Sequence, residues 1–186
     1  ANCGTFEDES KTASYSFIAN ITFNLNGKEV WGSLVNNGTL TLDLKGGSVV
    51  YQTGATAPSS TYRASAPIVN NGTLTIQDTA GGGKITIDAI EDNGSLQNYV
   101  SAVRNLGTLT MRGITAETSQ TVNAYSAVVL NYNGGVIKTI TGCHLIPTRG
   151  YGILNYGATI TEISGGNIDG GSSSTAGRYG IRNHNL

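Results

Sequence analysis

The sequence predicts an all-β fold, a right-handed parallel β-helix of about six coils with three short strands in each. Three observations predict it. One phrase ending in asparagine returns six times along the 186 residues, the residues after it alternate apolar and polar with a period of two, and no stretch sustains an apolar pattern at helical spacing. Repetition at this interval marks a stack of similar units, none of which can bury its apolar face alone.

The phrase is a small residue, an aliphatic, a variable position, then Asn, as in Ser33-Leu34-Val35-Asn36 and Gly152-Ile153-Leu154-Asn155. Its asparagines are Asn36, Asn70, Asn105, Asn131, Asn155 and Asn183, standing 34, 35, 26, 24 and 28 positions apart. Before the first of them, residues 1–14 read as a polar lead or cap, and residues 15–186 as the β-helix module, with Ser16 to Asn26 already strand-like and the last coil unfinished at Leu186. After the asparagine, three units continue with a glycine and an alternating strand: Thr39-Leu40-Thr41-Leu42, Thr73-Leu74-Thr75-Ile76 and Thr108-Leu109-Thr110-Met111. Alternation puts the aliphatic residues on one face and the threonines on the other. Two later units read differently but match each other, Ile137 to Gly142 against Ile160 to Gly165. A third short stretch follows glycines in most units, as at Gly47-Ser48-Val49-Val50, Lys84-Ile85-Thr86-Ile87 and Asn167-Ile168-Asp169.

A unit of this length with three strands is too short for a propeller blade of four antiparallel strands. A coil remains, in which each strand pairs with its counterpart one turn away, about 4.8 Å along the axis. Parallel crossover connections are right-handed by general rule. Twenty-six glycines and only three prolines fit, because corners need positive φ and strand amides must donate. The recurring Asn is expected to take the left-handed conformation at a corner and to bond its neighbours side chain to side chain along the axis, a structural ladder.

The phrases Val35-Asn36-Asn37-Gly38-Thr39-Leu40-Thr41 and Val69-Asn70-Asn71-Gly72-Thr73-Leu74-Thr75 resemble the right-handed β-helix repeats of the pectate-lyase-like class, found in bacterial surface proteins, autotransporter passengers and phage tailspikes or head fibres. The resemblance runs from about Tyr15 to the end of the chain. It implies a rigid structural element of a virion appendage or cell-surface protein, located on a virion or outside a cell and able to contact host glycans. It also implies partners that cover the solenoid ends, as flanking domains or other chains, and a homo-oligomer, the trimer being common among phage appendages. Two other readings of the class are a polysaccharide-degrading lyase or glycoside hydrolase and a glycan-binding adhesin.

The charge is balanced, 11 basic against 12 acidic residues with a net charge of −1, and no basic stripe forms, so no nucleic-acid partner is expected. No apolar run has the length to cross a bilayer, so no membrane insertion is expected. No cofactor or metal is implied. Cys3 and Cys143 fall several coils apart, beyond the roughly 7 Å allowed between the Cα atoms of a disulfide, and both are read as buried free thiols.

For an enzyme of the class, acidic residues or calcium ligands on one outer face would carry the chemistry. The one acidic cluster within the β-helix module, Asp88, Glu91 and Asp92, sits in a strand end and loop where Asp is an ordinary turn former. His144 follows Cys143 in a strand, so the two point to opposite faces. No catalytic residue is assigned. Tyr132 and Tyr156 directly follow two of the recurring asparagines, with His184 next in the same column and Asn37, Asn71 and Leu106 before them. With Arg182 nearby, these aromatic residues form the candidate ligand-binding set, an exposed column suited to a glycan or a protein surface. The alternative role for the rings is to stiffen the stack.

Overall fold

A computed structural model of the chain describes residues 14–51, 66–87, 100–119, 126–171 and 179–184. The chain winds through six coils and opens a seventh. The first coil holds β1 (Ser14–Phe17), β2 (Asn20–Asn24) and β3 (Glu29–Trp31); the second β4 (Ser33–Asn36), β5 (Thr39–Asp43) and β6 (Ser48–Tyr51). The third holds β7 (Ile68–Asn70), β8 (Thr73–Gln77) and β9 (Lys84–Ile87); the fourth β10 (Ser101–Asn105), β11 (Thr108–Arg112) and β12 (Thr115–Thr118). The fifth holds β13 (Ala127–Tyr132), β14 (Val136–Thr141) and β15 (His144–Pro147). The sixth holds β16 (Tyr151–Tyr156), β17 (Thr159–Ile160), β18 (Ile163–Ser164) and β19 (Asn167–Ile168), after which β20 (Tyr179–His184) returns to the first side.

Like strands of successive coils pair in parallel, giving three sheets: A, in the order β1-β4-β7-β10-β13-β16-β20; B, β2-β5-β8-β11-β14-β17 with β18 also on β14; and C, β3-β6-β9-β12-β15-β19. The result is the expected right-handed parallel β-helix. Ser16 to Asn26 is not one strand, however, but parts of β1 and β2 turned about Ile18 and Ala19, so this stretch supplies two sides of a coil.

Register makes the core. Leu34, Ile68, Val103, Val129 and Ile153 stack in sheet A; Leu40, Leu74, Leu109 and Ile137 in sheet B; Val30, Val49, Ile85, Ala116 and Leu145 in sheet C. All are buried in one continuous cluster. Each large aliphatic side chain so buried contributes about 1.5–3 kcal/mol, against a net 0.5–1.5 kcal/mol, roughly, for a hydrogen bond. The apolar stack therefore supplies most of the stability, while polar groups decide which residue sits over which. On the opposite side of sheet B, Thr22, Thr41, Thr75, Thr110 and Thr139 form a five-coil column. The change of pattern in the later units is a bulge: register shifts between Leu109 and Thr110, leaving Lys138 as the extra residue of β14.

Most of the inequality in repeat length has a single location. Corners from sheet A to sheet B stay short, residues 37–38, 71–72, 106–107, 133–135 and 157–158. Connections from sheet C back to sheet A run from the single residue 32 to residues 52–67. The added length thus falls between sheet C and sheet A in the chain, outside the strands that form the core.

The corners from sheet B to sheet C are locked by two carboxylates. Asp43, buried, accepts from the amides of Lys45 (3.2 Å) and Thr79 (3.1 Å), the Thr79 hydroxyl (2.8 Å) and the Gln77 amide (3.2 Å). Asp78, one coil on, accepts from the amides of Gly46 (2.9 Å), Gly81 (3.1 Å) and Gly83 (2.7 Å). Each carboxylate therefore ties its own corner to that of the adjacent coil. Burial pushes the Asp43 carboxyl up, but its donors, the Thr79 amide and hydroxyl foremost, outweigh burial and hold it below the ordinary value. A depressed folded-state pKa means a contribution complete above the unfolded value and lost as pH falls towards the folded one. Unfolding midpoints followed downwards from about pH 4 should drop more steeply for the native chain than for Asp43→Asn, which no longer titrates there; equal slopes would remove Asp43 from the acid response.

Candidate functional site

The six recurring asparagines form one hydrogen-bonded column. Nδ2 of Asn36 donates to Oδ1 of Asn70 at 2.8 Å, Asn70 to Asn105 at 2.7 Å, Asn105 to Asn131 at 2.7 Å, Asn131 to Asn155 at 2.7 Å and Asn155 to Asn183 at 2.8 Å. All five donate in the same direction. The second Nδ2 hydrogen reaches a carbonyl past the corner, as from Asn36 to Thr73 (3.0 Å), Asn70 to Thr108 (3.0 Å) and Asn131 to Thr159 (2.9 Å). Oδ1 also accepts from the following glycine, Gly38 to Asn36 at 3.1 Å and Gly72 to Asn70 at 3.2 Å. Asn36, Asn70, Asn105, Asn131 and Asn155 are buried, and Asn183 is exposed.

One expectation about these residues is corrected. They are not left-handed: among the described residues the non-glycine positions with positive φ are Asn26, Lys45 and Asn133. The ladder asparagines are the last or next-to-last residues of the sheet A strands, in ordinary extended backbone with the side chain turned inwards, because only there does the amide meet its neighbours at strand spacing. The glycine two positions later is explained by space. A Cβ on Gly72 would lie 2.1 Å from the Gly38 carbonyl oxygen, and one on Gly107 2.1 Å from that of Gly72. Each such oxygen accepts from the next coil, Gly38 from Thr73 N and Gly72 from Thr108 N, both at 2.8 Å.

A second column lies beside the ladder. Tyr132, Tyr156 and His184 are in register, the tyrosine rings 5.6 Å apart and stacked, Tyr156 and His184 4.7 Å apart and stacked. Earlier in the column Asn71 donates to Asn37 at 2.8 Å, and Asn37 to the Ser16 hydroxyl at 3.0 Å. The rings are half-buried rather than fully exposed, and their faces are turned on one another. The Arg104 guanidinium lies 5.7 Å from the centroid of Tyr132. Arg182 lies 5.3 Å from the centroid of Tyr151 and donates to its hydroxyl, and Tyr151 stacks on Tyr179 at 6.3 Å. Between these two aromatic files Leu130 and Leu154, opposite in alternation to the core residues Val129 and Ile153, pack with Ala127, Tyr151 and Tyr132 in a second apolar cluster. Nε of Arg104 and Nδ1 of His184 are buried without a hydrogen-bond partner.

Arg104, Tyr151 and Tyr179 were not part of the ligand set drawn from sequence. The signal was present: Arg104 and Arg182 share the variable place of the Asn phrase, and Tyr151-Gly152-Ile153 repeats as Tyr179-Gly180-Ile181.

Cys143 is a buried free thiol, pushed up by burial despite hydrogen bonds from its surroundings, and so stays protonated and inert at neutral pH. His144, the first residue of β15, is exposed beside it, and Cys143 lies not in a strand but in the corner before it. Asp88, Glu91, Asp92 and Cys3 lie outside the described residues. Among the described residues no three His, Cys, Asp or Glu side chains come together. A shallow hollow of about 330 Å³ on the outside of sheet C is lined by Val50, Thr86, Glu117, Ile146 and Thr148 among others. Its carboxylate is already engaged, Glu117 with Lys84 at 3.7 Å and with the Thr86 hydroxyl at 3.3 Å.

The two columns differ in what their loss should cost. Asn70→Ala strands a donor of Asn36 and the Gly72 amide and removes a donor to Asn105; at about 1–3 kcal/mol for each buried group left unpaired, denaturant titration should show a loss of several kcal/mol. Asn183→Ala, at the exposed end, should lose less than about 1 kcal/mol. Tyr156→Ala breaks two ring contacts worth about 0.5–1.5 kcal/mol each, and its unfolding free energy should fall between those of the two asparagine variants.

Comparison of the chain with family models, with curated proteins and with solved structures gives no match.

Proposed function

We propose that the chain is a non-enzymatic, rigid β-helix element of a virion appendage, such as a phage fibre, spike or decoration, or of a cell-surface protein of the pectate-lyase-like class. The observation that carries this reading is the amide ladder, which joins six successive sheet A strands through five side-chain bonds of 2.7–2.8 Å. Such a column resists sliding and bending of one coil over the next, which is what a load-bearing rod requires. The aromatic files support it, because rings stacked on each other add stiffness and leave few faces for a sugar to cover. The partners in this reading are protein segments or chains that continue the stack over the β1 and β20 edges, where Ile18 is 81 % and Ile181 44 % exposed.

A glycan-binding adhesin is the second reading, favoured by the unpaired buried nitrogens of Arg104 and His184 beside the tyrosine column. Incubation with a panel of acidic and neutral polysaccharides, with and without calcium, distinguishes the possibilities. The structural reading expects neither binding nor chain shortening. Retention on a polysaccharide that is lost in the Tyr132→Ala, Tyr156→Ala double variant would establish the adhesin. New unsaturated or reducing ends, lost in an Asp88→Asn, Glu91→Gln, Asp92→Asn variant, would establish an enzyme.

A further inference from the structure

Four Asn-Gly pairs lie in the described residues, at Asn26, Asn37, Asn71 and Asn133. This dipeptide is open to intramolecular attack by the glycine amide nitrogen on the asparagine side chain, because glycine presents no Cβ to hinder the approach. Whether the attack occurs in a folded chain depends on whether that nitrogen is free.

Three of the four nitrogens are held. Gly38 N donates to Oδ1 of Asn36 (3.1 Å) and Gly72 N to Oδ1 of Asn70 (3.2 Å), so the ladder occupies both nucleophiles. The side chains under attack are held too, since Asn37 and Asn71 are bonded to each other and Asn37 to Ser16. Gly134 N donates to Gly157 O of the next coil at 2.8 Å. Asn26–Gly27, exposed like Asn133–Gly134, differs in that neither the Asn26 side chain nor the Gly27 amide has a hydrogen-bond partner among the described residues.

Asn133–Gly134 is a matched comparison for Asn26–Gly27. Both pairs occupy two successive left-handed positions, φ 52° and 75° at Asn26 and Gly27, 50° and 84° at Asn133 and Gly134. Both turns are closed by the same bond, Lys28 N to Leu25 O and Gly135 N to Tyr132 O, each 3.1 Å. In their hydrogen bonding, what separates them is two carbonyls of the adjacent coil, Gly157 O holding Gly134 N at 2.8 Å and Tyr156 O holding Asn133 N at 3.1 Å.

We propose that Asn26–Gly27 is a site of spontaneous deamidation, and that the coil stack protects the other three pairs. Gly27 N gives up its proton to base and bonds to Cγ of Asn26; the Cγ–Nδ2 bond breaks and ammonia leaves, closing a five-membered succinimide. Water then adds to either ring carbonyl and opens the ring to an aspartate or isoaspartate. Nothing is oxidised or reduced, and water is the sole co-reactant. Each event adds one negative charge to a chain of net charge −1.

The test incubates the folded full chain, and in parallel the chain in denaturant, at mildly alkaline pH. Anion exchange follows the acidic species, and peptide mapping by mass spectrometry locates the gain of one mass unit and resolves Asn93–Gly94, which lies outside the described residues. In the folded chain Asn26 should convert roughly ten-fold or more faster than Asn37, Asn71 and Asn133, whose attack requires local opening first; in denaturant the four rates should converge. Asn26→Gln, whose attack would need a less favourable six-membered ring, should lose the acidic species that maps to this position. Conversion of Asn133 at the rate of Asn26 in the folded chain would overturn the proposal, as would folding slowing Asn26 as much as the others.

Discussion

A primary amide carries a donor and an acceptor on one short arm, and parallel strands repeat at a distance one amide-to-amide hydrogen bond can span. That match is the constraint on which the molecule depends. Aliphatic side chains fill the interior, but Leu, Ile and Val interchange with little preference and would tolerate a coil displaced by two residues, which keeps the same face inward. An amide displaced from Asn70 would leave buried donors and acceptors open on both sides. The ladder thus converts a permissive apolar stack into one with a single alignment, and the short corner from sheet A to sheet B follows. Asn Oδ1 must reach the next glycine amide, and the glycine must let the coils approach.

Because alignment is fixed on that side, length can vary on another. The segments joining sheet C to sheet A range widely, while after Asn36, Asn70 and Asn105 the glycine and the first residue of sheet B keep their places two and three positions on. The Asp43 and Asp78 carboxylates do at the second corner of two coils what amides do at the first. They are absent from the later coils, whose corners at Gly113 and Gly142 are tighter and take positive φ.

The fold was legible in the sequence because its two signals are local and repeated. The Asn phrase marks the period, and Thr-Leu-Thr-Leu alternation marks the inner face. What escaped reading was carried by weaker or non-local signals. The third strands β12 and β15 alternate as Ala116/Thr118 and Leu145/Pro147, too mixed to stand out. The turn between β1 and β2 falls at Ile18 and Ala19, neither a turn former. The backbone state of the ladder asparagines was misjudged because Asn is common in left-handed turns, whereas here its partners come from coils two dozen or more residues away. At the candidate site the column of Tyr132, Tyr156 and His184 could be placed from spacing, but not the way its rings turn. That orientation comes from stacking at 4.7–5.6 Å and from Arg104 over Tyr132.

The asparagine column also has a sense, since every side chain gives its proton towards β20 and none towards β1. The rod is therefore an arrow at the level of single hydrogen bonds. A strand joining beyond Asn183 must bring an oxygen, whereas the side before Asn36 presents Phe17 and asks only for apolar contact. Two copies meeting tail to tail would set proton against proton, so any assembly built through this column runs one way.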